Sequence, residues 1–117
     1  MARAGVAEVR LQPKNNNSRS AVQIDYSILK EAAGVLRAVN HKLRQSIVKL
    51  LEEHGRLTVT EIYVRLKLEQ SVASQHLAIL RKARIVNTER DGKFIYYSLN
   101  NERIGELSGL VQEIVSQ

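Results

Sequence analysis

The sequence has no cysteine and no tryptophan, and its 117 residues include one proline, one phenylalanine and four tyrosines. Without cysteine, the chain can form no disulfide, no thiolate nucleophile and no thiolate metal site. Its longest apolar runs span a few residues, far below the roughly 20 of a membrane-crossing helix, and no signal peptide is recognisable. These absences predict a single small domain that is soluble and cytoplasmic.

The charge balance is basic, since 18 lysines and arginines against 12 acidic residues give a net charge of +6 and a pI near 9.9. One interpretation is a solvated basic surface. The other is an anionic partner, most often nucleic acid. Charge alone does not show whether the anionic partner is DNA, RNA or an acidic protein.

The first segment, residues 1–20, contains the proline, an asparagine triplet and a basic excess, and it shows neither a helical nor a strand period. We interpret it as a basic, disordered arm. Such an arm could reach along DNA, but an idle terminus or a cloning remnant is the favoured explanation. The folded domain is then predicted to span residues 21–117.

Two amphipathic helices are predicted to follow, the first beginning near Ile24. Their apolar residues recur at steps that include three and four: Ile28, Ala32, Val35 and Val39 in the first, and Leu43, Ile47, Leu50 and Leu51 in the second. The second helix is predicted to end at His54-Gly55, because glycine tolerates the conformation that stops a helix.

A helix-turn-helix is predicted next. Thr58 and Glu61 have the spacing of a capping box, in which each side chain accepts a hydrogen bond from a backbone N–H, and this begins a short helix. Residues 67–69 form a tight turn, and "QSVASQHLAILRKA", residues 70–83, forms the next helix. Two short helices joined by such a turn are the arrangement that many DNA-binding proteins use.

The helix at 70–83 divides into two faces when successive residues are placed 100° apart. The apolar arc holds Val72, Ala73, His76, Leu77, Ile79, Leu80 and Ala83. The polar arc holds Gln70, Ser71, Ser74, Gln75, Ala78, Arg81 and Lys82. Small serines let a helix approach a groove, glutamine can form paired hydrogen bonds with adenine, and the basic pair can meet phosphates. A solvated polar face is the alternative, and the helix-turn-helix and positive charge favour DNA contact.

Ser74 and His76 lie two residues apart, a spacing that raises the question of a nucleophile beside its base. On a helix the two side chains point about 200° apart, so a catalytic pair is excluded. His76 is instead predicted to be buried, neutral and hydrogen-bonded. His41, His54 and His76 fall on different elements without a ligand cluster, so we predict no catalytic residue, no metal site and no cofactor.

The segment "IVNTERDGKFIYYSL", residues 85–99, changes to a period of two and contains Asp91-Gly92, a signal for a type I′ hairpin. With a two-residue turn, the predicted pairs are Arg90 with Lys93, Thr88 with Ile95, and Val86 with Tyr97. The core face would then hold Val86, Ile95, Tyr97 and Leu99. The pair of Arg90 and Lys93 would form an exposed basic tip suited to an anionic partner.

Asn100 or Asn101 is predicted to cap a last helix. Its apolar residues have the three-four-three spacing of a helix-pair seam: Ile104, Leu107, Val111 and Ile114. This stripe could pack on its own domain. A terminal helix that follows a complete hairpin favours a dimer interface instead.

The element order is that of a winged helix-turn-helix, and two motifs are more specific: "SQHLAIL" followed by "IV", and "DGKFIYYSL" as the wing. From about residue 24 to its end, the chain resembles the ArsR/SmtB family of bacterial transcriptional regulators. The resemblance implies an α+β, mainly helical fold with a two-stranded wing, acting as a homodimeric repressor that releases DNA on a signal. It implies DNA contacts by Gln70, Ser71, Ser74 and Gln75, wing contacts by Arg90 and Lys93, and dimer contacts from the first and last helices: Ile28, Val35, Ile104, Leu107, Val111 and Ile114.

The sequence also departs from this family. The helix segment "TVTEIYVRL" lacks the cysteine motif of metal-sensing members, and the last helix has no histidine. Glu69 stands where the family often has a serine cap, and glutamate caps poorly. Arg84 replaces a common glycine, and an arginine in a left-handed conformation would be strained, which predicts a differently built corner.

We therefore expect a metal-independent, sequence-specific DNA-binding regulator. Its expected partners are double-stranded DNA, a second copy of the chain and an unknown small-molecule inducer. The alternative is a protein-interaction module on the same scaffold, because a fold does not fix a function. No group of residues supports an enzyme.

Overall fold

The computed structural model describes residues 22–116, so the arm predicted at 1–20 lies outside the described residues. The elements are α1 (Tyr26–Val39), α2 (Lys42–His54), β1 (Arg56–Thr58), α3 (Val59–Leu66), α4 (Gln70–Lys82), β2 (Val86–Asp91), β3 (Phe94–Leu99) and α5 (Asn101–Val115). Within this range no helix is long and apolar enough to cross a membrane. The chain divides into two units between Glu31 and Ala32, and each unit is described by itself.

In the first unit, Asp25 fixes the start of α1. Its Oδ1 atom accepts hydrogen bonds from the Ser27 hydroxyl at 2.7 Å and from the Ser27 backbone N–H at 3.1 Å. These bonds favour the charged carboxylate, and the Ser27 hydroxyl is the main cause of the lowered pKa of Asp25. The helix therefore begins at Tyr26 rather than at Ile24, because the Asp25 side chain acts as the cap.

The second unit is built around an apolar core. Its buried members come from α2, β1, α3, α4 and the start of β2: Ile47, Leu51, Leu57, Ile62, Leu77, Leu80, Ile85 and Val86. Helix α2 ends at His54 because Gly55 adopts a φ of 85° and donates its N–H to the Leu51 carbonyl at 2.8 Å. The predicted glycine stop is confirmed.

Helices α3 and α4 form the predicted helix-turn-helix. The capping box at the start of α3 is confirmed: Thr58 Oγ1 accepts the Glu61 N–H at 3.2 Å, and Glu61 Oε1 accepts the Thr58 N–H at 2.9 Å. Lys67 ends α3 in a left-handed conformation, with a φ of 57°. Glu69 precedes α4 without forming a side-chain cap hydrogen bond, as its poor capping chemistry predicts.

The corner after α4 is built on Arg84, which adopts a left-handed φ of 62°. The Arg84 N–H bonds to the Arg81 carbonyl and the Ile85 N–H bonds to the Leu80 carbonyl, both at 2.9 Å. These are the two bonds of a Schellman motif, normally completed by glycine. The expectation of a differently built corner is wrong, because burial of Leu80 and Ile85 holds the motif in place despite the arginine.

The three strands form one antiparallel sheet in the order β1-β3-β2. Strand β1 was not predicted, because three residues are too few to show a period of two. It pairs Leu57 with Tyr97, and Leu57 is buried while its neighbour Arg56 is exposed. We call the hairpin of β2 and β3 the wing.

The register predicted for the wing is wrong by two residues. The observed pairs include Asp91 with Phe94, Arg90 with Ile95, and Val86 with Leu99. The turn residues are therefore Gly92 and Lys93. Positive φ occurs at Gly92 but not at Lys93, which fits a type II′ turn with glycine first rather than the predicted type I′ turn.

A shift of two residues preserves which side chains share a face. Val86 is buried and Tyr97 and Leu99 pack against the core, as predicted. Ile95 is the exception, because it lies opposite Arg90 towards the tip of the wing and is 45% exposed. Ile95 therefore shares the face of Val86 and Tyr97, as predicted, but its assignment to the core is wrong.

Candidate nucleic-acid interface

The first two turns of α4 present the polar residues selected from the sequence. Gln70, Ser71, Ser74 and Gln75 are all exposed. On the opposite side, Ala73, Leu77 and Leu80 have no accessible surface, so the helix is anchored through its apolar side. This arrangement leaves the small hydroxyls and the long amides free to meet a partner.

One residue of the predicted apolar arc of α4 is exposed rather than buried. Ile79 was placed inward but is 41% exposed. It lies about 160° from Leu77 around the helix, at the margin of the arc, so the core covers it incompletely. The buried side of α4 is therefore narrower than the sequence pattern predicts.

The two ends of α4 differ in charge character. At the N-terminal end the exposed Glu69 forms no side-chain cap hydrogen bond, and its negative charge opposes the attraction that the positive end of the helix dipole has for phosphate. At the other end, Arg81 and Lys82 are exposed in the last turn, about 16 Å from Gln70 along the axis. Their charge also stabilises the negative end of the dipole.

The wing carries the remaining predicted contact residues. Arg90 and Lys93 are both exposed, on β2 and in the turn. They do not form a cross-strand pair, since Arg90 faces Ile95. Two cations that face each other across strands repel, and the observed register avoids that pairing while both charges remain on the distal half of the wing. The Lys93 ammonium lies 5.8 Å from the Phe94 ring centroid.

Arg56 of β1 contacts the wing and was not predicted from the sequence to belong to this surface. Its guanidinium lies 3.5 Å from Glu89 Oε1, 3.3 Å from Asp91 Oδ2 and 4.0 Å from the Tyr96 ring centroid. The partners on the wing are 33 to 40 residues away in sequence, so no local pattern reveals the cluster. Arg56 places a positive charge beside two wing carboxylates that would otherwise repel an anionic partner.

His76 is half-buried on the flank of α4, beside Gln75. Its Nδ1 atom lies 3.1 Å from Nη1 of Arg44, and its ring centroid lies 4.8 Å from that of His41. Burial, and then the proximity of His41 and Arg44, lowers the pKa of His76 below the ordinary 6.5. The predicted hydrogen bond is present and the lowered pKa favours a neutral ring, but the prediction of a buried side chain is wrong, because the ring is only partly covered.

Among residues 22–116, no group of three or more histidine, aspartate or glutamate side chains could hold a metal ion. His41, which caps α2 through its Nδ1 atom, and His76 form a close pair, but their neighbour is the Arg44 guanidinium rather than a carboxylate.

The predicted dimer residues separate into two groups. Val35, Ile104 and Leu107 pack partly buried against the core of their own unit. Val111 and Ile114 are exposed, the latter by 61%, and Leu110 and Val115 beside them are exposed as well. The first half of α5 therefore packs against the core, and its last two turns form an exposed apolar surface. In the other unit, Ile28 is 61% exposed.

Comparison with known proteins gives a consistent result. The family model described as "Bacterial regulatory protein, arsR family" matches residues 41–88, which cover α2, β1, the helix-turn-helix and the start of the wing. The transcriptional repressor PagR of Bacillus anthracis is 38% identical over 92 residues, which span 79% of this chain and 92% of PagR.

The chain belongs to the ArsR family of regulatory proteins.

Solved structures of other proteins agree with this assignment. The crystal structure of PagR has a TM-score of 0.60 at 37% identity and covers 77% of this chain and 99% of its own. The solution structure of a homodimeric winged helix-turn-helix DNA-binding domain from Mycobacterium bovis has a TM-score of 0.66 at 29% identity. The match covers 80% of this chain and 88% of the Mycobacterium bovis domain. The transcriptional activator HlyU of Vibrio cholerae is 31% identical over 95% of this chain and 92% of its own length. The ArsR-family chain is thus a winged helix-turn-helix transcriptional regulator and not an enzyme.

Proposed function

We propose that this ArsR-family protein is a sequence-specific DNA-binding repressor that acts as a homodimer without a metal ion. The observation that carries the proposal is the exposed polar face of α4, from Gln70 to Gln75, on a helix that is anchored on its other side by the buried Ala73, Leu77 and Leu80. PagR, a relative whose similarity spans most of the chain, is named as a repressor, which supports repression rather than activation of transcription.

The proposed reading mechanism follows from the side chains of α4. The N-terminal half of the helix enters the major groove, where the amides of Gln70 and Gln75 pair with adenine edges and the serines permit close approach. Arg81 and Lys82 bind phosphates on the flank, and Arg90 and Lys93 on the wing bind the backbone nearby. Base contacts give selectivity, and phosphate contacts give most of the affinity.

The proposed dimer uses the apolar surface at the end of α5. Leu110, Val111, Ile114 and Val115 are exposed there, and such a strip is costly to leave in water. Ile28 is proposed as a further contact from the first unit. Two copies would present two α4 helices to half-sites about one helical turn apart. Release of DNA on binding a small-molecule inducer is part of the same proposal.

The proposal is tested with a duplex of about 30 bp that the full chain enriches from random DNA, long enough for two half-sites. Changing Ser74 and Gln75 to alanine together should cost about 1–3 kcal/mol on this duplex and much less on unrelated DNA. Changing Lys93 to glutamine should weaken binding to both DNAs about equally and reduce the salt slope. Lys49→Gln on the outer face of α2 is the matched charge control.

Two results would contradict the proposal. One is the absence of any enriched duplex at low salt, which would favour the protein-interaction module. The other is an equal loss on both DNAs for the Ser74 and Gln75 variant, which would show that α4 does not read bases.

A further inference from the structure

Arg44 of α2 joins three helices through its guanidinium. The Nε atom donates to the Ala38 carbonyl at 2.6 Å, and Nη2 donates to the Arg37 carbonyl at 3.2 Å, both in the last turn of α1. The Nη1 atom lies 3.1 Å from Nδ1 of His76 on α4. One planar side chain thus holds two elements in a fixed relation to α2.

The hydrogen bonds to α1 hold the Arg44 guanidinium in one position. The last carbonyls of a helix have no partner within the helix, and Arg44 caps two of them through Nε and Nη2, which leaves Nη1 for His76. Gln45 adds a bond from Nε2 to the Val39 carbonyl at 2.9 Å. Arg44 therefore offers His76 a donor whose position is set by α1 and α2.

The chemistry of the contact defines the state of His76. A guanidinium has donors and no acceptor, so Nδ1 of His76 must accept and the ring must be neutral, with its proton on Nε2. A protonated imidazole has no acceptor at Nδ1, and its charge would lie beside that of Arg44. Protonation therefore replaces a hydrogen bond with a repulsive contact.

Among the described residues, the charges that act on the pKa of His76 are those of His41 and Arg44, and both disfavour its protonation. His41 at the start of α2 contributes a second imidazole, and together with Arg44 it lowers the pKa of His76 further after burial. From α3, Glu61 is bonded to Thr58, and from β2, Glu89 and Asp91 are paired with Arg56. Tyr63 and Arg65 of α3 and Arg90 of β2 form no described hydrogen bond or ion pair with the ring.

We infer that the Arg44–His76 hydrogen bond positions the reading face of α4 for DNA, so that protonation of His76 weakens DNA binding. The inference rests on the proposed DNA-binding function. His76 directly follows Gln75 and lies two residues after Ser74, so a displacement of its ring moves the side chains proposed to read bases. Sites of this kind tolerate displacements of only about 0.5 Å before contacts are lost.

The sign of the pH effect separates this mechanism from ordinary electrostatics. Protonating a histidine adds positive charge, which alone would tighten binding to DNA. The positioning mechanism gives the opposite result, weaker binding as the pH falls. The window lies below pH 6.5, because the pKa of His76 is lowered from that value.

The experiment measures the dissociation constant of the full chain for the duplex it enriches from random DNA, at several values between about pH 8 and pH 5.5. Wild-type affinity should stay level above pH 6.5 and fall below it, by several-fold and less than tenfold at pH 5.5, because the lowered pKa leaves His76 only partly protonated there. His76→Leu, which removes the acceptor, should bind about tenfold more weakly at the upper pH and show no acid-induced weakening. His76→Asn keeps an acceptor near the position of Nδ1 and cannot be protonated there, so it should bind well at every pH.

Two further variants complete the set. Arg44→Lys keeps the charge but cannot reach three acceptors, so it should behave like His76→Leu. His54→Gln removes an exposed histidine at the end of α2 and should keep the wild-type pH profile. Circular dichroism at each pH shows that the folded chain is being compared.

The outcomes are distinct. If wild type binds but its affinity stays level or rises as the pH falls, or if His76→Leu binds as wild type does, the positioning role is overturned. If His76→Asn loses binding as His76→Leu does, the acceptor is not what matters and the inference also fails. If wild type enriches no duplex at all, the proposed function fails first.

Discussion

Arg56 shows how a single side chain can prepare a surface for an anionic partner. Two carboxylates of the wing and one aromatic ring surround its guanidinium. The side chains are 45% to 74% exposed, so the ion pairs add little to the free energy of unfolding, at most about 1 kcal/mol. Their effect is expected on DNA binding, where Glu89 and Asp91 would otherwise face phosphates without a counter-charge.

Changing Arg56 to glutamine should therefore weaken DNA binding several-fold while changing the free energy of unfolding by less than about 1 kcal/mol. The loss should shrink at high salt, because screening weakens the exposed carboxylates' repulsion. Fluorescence anisotropy at two salt concentrations and urea denaturation measure the two quantities. Lys49→Gln, which removes one positive charge from α2, is the control. Equal losses for both variants would mean that only net charge matters.

Residues of this kind were beyond prediction from the sequence. The four outward residues of α4 were found because a helical period fixes which side each residue faces. Arg56 contacts the wing, and Arg44 contacts His76, across more than 30 residues of sequence, and their neighbours in sequence give no signal of those contacts. Pairs of this type become visible only when the fold is known.

Helix α4 begins and ends with residues that are unusual at their positions. Glu69 stands at the N-terminal cap but forms no side-chain cap hydrogen bond. A serine there would accept an N–H of the first turn, and caps of this kind contribute about 1 kcal/mol.

Glu69→Ser should raise the free energy of unfolding by about 0.5–1 kcal/mol in urea denaturation. It also removes a negative charge from the end of α4 proposed to enter the groove, so it should tighten binding to specific and unrelated DNA alike. Glu53→Ser, on the exposed side of α2, is the control for the change of charge. Unchanged stability would indicate that water already satisfies the first turn as well as serine does.

Arg84 ends the same helix in the left-handed region, where a side chain costs about 1 kcal/mol or more. Arg84→Gly should therefore raise the free energy of unfolding by about 0.5–1 kcal/mol. Lys82→Gly is the matched control, because the same change within a right-handed helix should lower stability by about 1 kcal/mol. Thermal or urea unfolding of the Arg84→Gly and Lys82→Gly variants measures both changes in stability. If both variants are destabilised, the contacts of the Arg84 side chain outweigh the strain of its left-handed backbone.

The elements themselves were largely predictable, and the exceptions have physical causes. Helices were found because caps and glycine stops are local signals, as at Thr58, Glu61 and Gly55. The wing was predicted, but its register was not, because Asp91-Gly92 and Gly92-Lys93 are both acceptable two-residue turns. Choosing one turn rather than the other moves the partner of each β2 residue by two positions along β3. Alternation of side chains cannot distinguish them, since both place Val86 and Tyr97 on one face.

At the scale of the whole molecule, the apolar surface at the end of α5 predicts self-association. Ile114→Asp should convert a dimer, twice the 13.2 kDa chain mass, into a monomer in size-exclusion chromatography with light scattering. Val64→Asp on α3 is a matched control, because Val64 and Ile114 are both 61% exposed. A monomeric wild type, or a monomeric Val64→Asp variant, would contradict the assignment of this surface.

DNA affinity should follow the oligomeric state. A monomer has one α4 helix to place in a groove and loses the advantage of binding two half-sites together. Ile114→Asp should therefore bind the enriched duplex far more weakly than Val64→Asp does, although both changes lie outside the proposed reading face.

Selection of binding sites by the full chain from random duplex DNA shows whether two copies of α4 read DNA sequence. We expect enrichment of a pseudo-palindrome whose half-sites are centred about 10 bp apart, or a multiple of that distance, and loss of this enrichment with the Ser74 and Gln75 variant. Enrichment of no sequence at low salt, or enrichment that the variant leaves unchanged, would show that α4 does not read sequence.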